Sequence, residues 1–238
     1  MEQTSSTKRQ AIKPGVFFTP RKELPRGRHA LDREAATEAQ RERLMAAFCE
    51  VVAERGLPGL TVAELVSHAG VSRTAFYDCF DDLEGCADAS YERFISVLVQ
   101  RLFLALDPDL AWDAYVETGI RAYLETLQSD QVVARAMQIE MDAAGRSART
   151  RRRVALTKMA EVIGARYEAL MKEDPSFTAV PTEAHLALIY GMRQLACDAL
   201  DTEPEPDLLR LVEPTKRWIL ASVLGTPLVD ELESDPAA

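Results

Sequence analysis

Ser72, Arg73, Thr74 and Tyr77 bring two short hydroxyls, a guanidinium and a phenol into six consecutive residues. A guanidinium in such a place can bridge two acceptors on a guanine edge or hold a phosphate, and hydroxyls can reach phosphate oxygens. This is the chemistry of recognition rather than of bond breaking. Elsewhere the chain offers no convincing Ser/His/Asp or Cys/His grouping, so no enzymatic activity is expected. His29, His68 and His185 stand far apart, and Cys49, Cys79, Cys86 and Cys197 lack paired spacing. Neither set has metal-ligand spacing, no cofactor is expected, and the cysteines read as reduced thiols of a cytoplasmic protein.

The elements around these residues explain how they would be presented. From Glu34 to Arg55 the apolar residues Leu44, Ala47, Phe48, Val51 and Val52 share one helical face. Gly56 follows as a stop signal. Thr61 and Glu64 then form a capping box that opens a short helix, Val62 to His68. That helix buries Val62, Leu65 and Val66. Gly70 permits a sharp turn, and Ser72 caps a third helix. Phe76 and Phe80, one turn apart, face back onto the first two helices. Arg73, Thr74 and Tyr77 are left outside. The pattern is a helix-turn-helix whose last helix enters a major groove with its N-terminus toward the DNA.

The charge distribution is uneven. The chain of 238 residues has a net charge of −10, yet residues 1–33 carry eight basic residues against three acidic ones. Pro14, Gly15, Pro20, Pro25 and Gly27 punctuate this stretch, which reads as a mostly disordered basic arm with order beginning near Arg33. Arg26 and Arg28 stand close to the first helix and are candidates for phosphate or minor-groove contact. No apolar run is long enough to cross a membrane, and the polar N-terminus is no secretory signal.

The stretch RERLMAAFCEVVAERGLPGLTVAELVSHAGVSRTAFYDCFDDLEGC resembles the N-terminal domain of the tetracycline-repressor (TetR) family. The resemblance rests on an Arg-led helix, a Gly, a Thr-Val pair, an Ala-Gly-Val-Ser turn, and Tyr77 and Phe80 three apart. The preceding arm resembles that of an actinobacterial subset. The likeness covers residues 24–91. It implies that Thr61, Ser72, Arg73, Thr74 and Tyr77 contact double-stranded DNA. Ala75, Cys79 and Leu83 depart from the family pattern, the last at a place where a phosphate-holding Lys is usual. Asp78, Asp81 and Asp82 add negative charge nearby.

Beyond Leu83 the periodicity stays helical. Helices are expected over Glu84–Leu106, Asp109–Gln128, Gln131–Ala144, Ser147–Glu173, from Pro181 to about Leu200, and Asp207–Leu224, the last kinked or split at Pro214. The basic run at 146–153 reads as a solvated helix face. Trp112, Tyr115, Tyr123, Met137, Met141 and Tyr190 are candidates for an apolar pocket, with Arg121, Arg193 and His185 as polar anchors. Each reads first as plain core, and the effector-binding residues stay unassigned.

The fold expected is all-α. A basic arm (1–33) precedes a three-helix helix-turn-helix DNA-binding domain (34–82). A larger helical ligand-binding and dimerisation domain (83–228) follows, with an acidic tail (229–238). In the resemblance, the last two helices pair with a second copy, here through Gly191 and Leu195 and through a stripe that includes Trp218 and Ile219. The function implied is a ligand-responsive repressor, a homodimer on a near-palindromic operator, with an unknown small-molecule effector. The other reading is a helical adaptor whose helix-turn-helix no longer binds DNA well.

Overall fold

The computed structural model describes residues 11–20, 30–174, 177 and 179–224. Among them the regular structure is helical throughout: α1 (Ala30–Arg55), α2 (Val62–Ala69), α3 (Arg73–Cys79), α4 (Leu83–Ala105), α5 (Trp112–Ser129), α6 (Gln131–Gln138), α7 (Arg146–Glu173), α8 (Thr182–Thr202) and α9 (Val212–Leu224). Short 3-10 helices cover Glu140–Ala144 and Leu208–Leu211. The chain divides into two compact units, and the division falls within α4.

The first unit holds the described residues through Leu98 together with Ser129–Thr150. Its core follows the periodicity of α1, where Leu44, Ala47, Phe48, Val51 and Val52 are all buried. Leu65, Phe76 and Phe80 close onto that face from α2, α3 and the residue after α3. Each such side chain contributes roughly 1.5–3 kcal/mol of burial. Val62 and Val66, expected inside, are only half-buried, because α2 buries Leu65 and Ala69 and leaves them beside that face.

The first unit departs from the sequence reading in two places. Residues 11–20 do not behave as a disordered arm. Ile12, Phe17 and Phe18 are buried, and the Phe17 ring lies 5.2 Å from that of Phe94 on α4. Backbone donors pin the strap: Ile12 N donates to Glu50, Lys13 N to Asp130 and Thr19 N to Glu42. Proline and glycine punctuation mimics disorder, but Ile12, two adjacent Phe and the long-range backbone hydrogen bonds together work against the ordering entropy. The second departure is α6. It lies with this unit, against α1, and buries Val132, Val133, Ala136 and Met137. Asp130 is the link: one carboxylate oxygen accepts from Val133 N and caps α6, while the other accepts from Lys13 N. The body expected over 83–228 is therefore not one compact piece.

The second unit holds Val99–Gln128 and the described residues from Arg151 onward. Trp112, Tyr115, Ile120, Tyr123 and Leu127 point inward from α5, as their spacing predicts. Pro181 sits at the N-cap of α8 rather than inside its first turn. Pro214 does not kink α9. It occupies the first turn, where no intrahelical N–H bond is lost, and the break falls before Val212 instead. Gly191 on α8 packs against Trp218 of the same chain so closely that a Cβ there would stand 2.7 Å from the ring.

Candidate nucleic-acid interface and ligand cavity

The candidate recognition face is built from three local devices. Thr61 caps α2: its hydroxyl donates to Glu64 at 2.8 Å and accepts from Glu64 N, and Glu64 also accepts from Thr61 N. Arg55 pairs with Glu64 at 2.9 Å, and the Arg55 and Thr61 donors together hold the Glu64 carboxyl down to about 2. Gly70 adopts φ 64°, a left-handed conformation that ends α2 and turns the chain. Ser72 then caps α3 by accepting from Ala75 N at 3.0 Å. With Ala75 and Phe76 facing the core, the helix leaves Arg73, Thr74 and Tyr77 exposed, and Tyr77 is 48% accessible.

Arg73 and Tyr77 meet on that face. Arg73 Nη2 lies 3.4 Å from the Tyr77 hydroxyl, and the guanidinium sits 5.8 Å from the ring centroid. The Tyr77 ring in turn stands edge-on to the buried Phe76 ring at 5.3 Å. A guanidinium has five donors, so this long contact leaves most of them for another acceptor. Behind the face, Arg41 of α1 stacks over Phe80 and donates to the Cys79 carbonyl at 3.0 Å, fixing the end of α3.

The sequence-predicted residues are thus partly assembled. Ser72, Arg73, Thr74 and Tyr77 share the exposed start of α3, and Thr61 opens the helix that packs against it. The Thr61 hydroxyl hydrogen is already committed to Glu64, which a capping-box pattern alone does not reveal. Arg26 and Arg28 lie outside the described residues. At the start of α4, beside Leu83 where the resemblance puts a phosphate-holding Lys, Asp82 accepts from Gly85 N at 2.8 Å and caps the helix with a carboxylate.

The second unit contains an apolar cavity of about 80 Å3. Trp112 and Tyr115 of α5, Met159 of α7, and His185 and Met192 of α8 are among its walls. Of the pocket residues expected from sequence, Trp112, Tyr115 and His185 line it, whereas Tyr123, Met137, Met141 and Tyr190 do not. Arg121 pairs with Glu117 instead. Leu188, Ile189 and Ile219 also face the cavity. Helical periodicity separates inside from outside but cannot separate a packed core from the wall of a hollow.

Residues 44–89 match the sequence model of the family described as bacterial regulatory proteins, tetR family. No curated protein matches the chain. Among solved structures, the fatty acid degradation regulator FadR from Bacillus halodurans superposes with a TM-score of 0.66 at 17% identity, over 76% of this chain and 94% of that one. FadR from Bacillus subtilis, in complex with stearoyl-CoA, gives 0.67 at 15% identity, over 76% and 98%. A transcriptional regulator from Rhodococcus sp. Rha1 gives 0.59 at 23% identity, over 79% and 99%. The chain has the fold of TetR-like transcriptional regulators, an N-terminal helix-turn-helix followed by a larger helical part.

Proposed function

We propose that this chain is a DNA-binding transcriptional regulator, a repressor that acts as a cytoplasmic homodimer on a near-palindromic operator. The observation that carries the reading is the start of α3. Ser72 and Gly70 fix its entry, and Arg73, Thr74 and Tyr77 are exposed together on a helix whose other side is locked by Phe76. Rigid presentation of a guanidinium and hydroxyls is what base and phosphate contacts require. The family match over residues 44–89 covers these same residues. Arg26 and Arg28 supply further phosphate or minor-groove contacts, which offset the chain's net negative charge. A small-molecule effector occupies the cavity of the second unit. The stearoyl-CoA complex of the B. subtilis FadR, which shares the fold, supports a ligand-responsive reading.

A second reading, a helical adaptor that has lost DNA binding, is favoured by one observation. Asp78, Asp81 and Asp82 are exposed around the end of α3, and Asp82 fills the first turn of α4. A gel shift with genomic fragments from the source organism separates the two. Discrete complexes that survive competitor DNA support the regulator. Retardation that competitor abolishes entirely supports the adaptor.

A further inference from the structure

The cavity of the second unit holds two polar groups with nothing to bind. His185 is 3% exposed and Trp112 is 6% exposed. Both imidazole nitrogens and the indole Nε1 are buried without a hydrogen-bond partner among the described residues. A buried donor or acceptor left unmade costs free energy, so two such residues in one wall are expensive unless something meets them. The rest of the lining is apolar, with Met159 and Met192 on facing helices, and none of its members carries a permanent charge.

We propose that this cavity binds a neutral, largely apolar molecule through one hydrogen-bond-accepting oxygen, a ketone, ester or alcohol, held by His185 and Trp112. This assignment rests on the effector reading and names the chemistry of that site. An indole N–H can only donate, so the ligand atom opposite it is an acceptor. A neutral imidazole donates once and accepts once, which suits a carbonyl or a hydroxyl equally. Burial pushes the His185 pKa below its ordinary value, against the opposing pull of Glu168, so the ring stays neutral. A carboxylate entering this wall would lose its hydration and find no cation among the lining residues. The Trp112 ring lies 5.1 Å and the His185 ring 5.6 Å, centre to centre, from the Tyr167 ring. Gly164 lies against His185 with room for a methyl and little more, since a Cβ there would stand 3.6 Å from Nδ1.

At about 80 Å3 the cavity is smaller than the roughly 150 Å3 known to accept benzene. A ligand of useful size must therefore press its walls apart. Met159 and Met192 are the wall residues best able to yield, having flexible unbranched chains. Ligand binding then favours a widened second unit over the compact one, and this differential affinity is what a ligand-driven switch needs.

The test is calorimetric titration of the full-length protein, without DNA, using 2-hexanone, 1-hexanol and hexanoate near neutral pH. The proposal expects the ketone and alcohol to bind roughly tenfold or more tightly than the carboxylate. His185→Leu and Trp112→Phe, each confirmed folded by circular dichroism, should each weaken 2-hexanone several-fold. His185→Gln, which keeps a donor and an acceptor, should retain most of the affinity. Hexanoate binding as well as the ketone, unchanged 2-hexanone affinity in both folded variants, or no binding of any probe would each overturn it. The regulator reading fails separately, if the protein binds these probes as expected yet retards no genomic fragment.

Discussion

Arg73 Nη2 lies 3.4 Å from the Tyr77 hydroxyl, one helical turn away on the exposed side of α3. The contact is long for a hydrogen bond, and the guanidinium is held mainly by lying near the phenol ring. Tyr77 is itself braced by Phe76 at the core, so the Arg73 side chain is oriented from beneath. Arg73→Ala should weaken operator binding by about 1–3 kcal/mol and relax the preference at one base position. Tyr77→Phe removes only the hydroxyl and should weaken all sequences alike by a smaller amount. Fluorescence anisotropy on a panel of single-base operator variants distinguishes these two outcomes.

The strap at residues 11–20 makes a truncation prediction. Deletion through residue 30 removes Ile12, Phe17 and Phe18 from the core and should destabilise the fold. Phe18→Ala should destabilise the protein by about 3–5 kcal/mol. Asp130→Ala should cost about 1–2 kcal/mol, because it uncaps α6 and frees the Lys13 N–H together. Urea denaturation followed by far-ultraviolet circular dichroism measures each. A contribution of the arm to DNA affinity is therefore better tested by Arg26→Ala with Arg28→Ala than by truncation. That pair should flatten the salt dependence of operator affinity by about two charges.

On α8, two positions separate internal packing from association. Gly191→Ala places a methyl 2.7 Å from Trp218 and should destabilise the chain by about 1–3 kcal/mol, even as a monomer. Leu195 is 43% exposed, so Leu195→Glu should change stability by less than about 0.5 kcal/mol. Sedimentation velocity should show that Leu195→Glu shifts a homodimer toward monomer. A monomer in both the parent and the variant would contradict the dimer.

His185 should make stability depend on pH in a definite direction. Its pKa lies below the ordinary value because burial disfavours the charged ring. The unfolded chain therefore binds this proton at higher pH than the folded chain does. Stability is complete above the unfolded pKa of about 6.5 and falls as pH drops through and below it. His185→Gln should remove that part of the decline in urea midpoints measured between about pH 8 and about pH 5. Parallel declines in both proteins would assign the effect to other groups.

Much of the reading head was legible because its signals are local. The capping box at Thr61, the Gly70 turn, the Ser72 cap and the face carrying Leu44, Phe48 and Val52 each depend on spacing within a few residues. The strap was not legible. Pro14, Gly15 and Pro20 suggest a loop, and only the long-range partners Glu50, Asp130 and Glu42 turn it into structure. The placement of α6 was hidden for the same reason, since its apolar stripe says that it packs but not against what. In the cavity, Leu188 and Ile219 carried the same apolar signal as any interface or core residue. Trp112, Tyr115 and His185 stood out by type, and the missing partners of Trp112 and His185 became visible only once the surrounding walls were in place.

The start of α3 is proposed to read a specific DNA sequence. The most direct measurement is selection of bound fragments from sheared genomic DNA, by the wild-type protein and by a folded Arg73→Ala variant, at physiological salt. The wild type should enrich a small set of fragments sharing a near-palindromic site, and Arg73→Ala should lose that enrichment. Recovery of the same unenriched background by both proteins would contradict it.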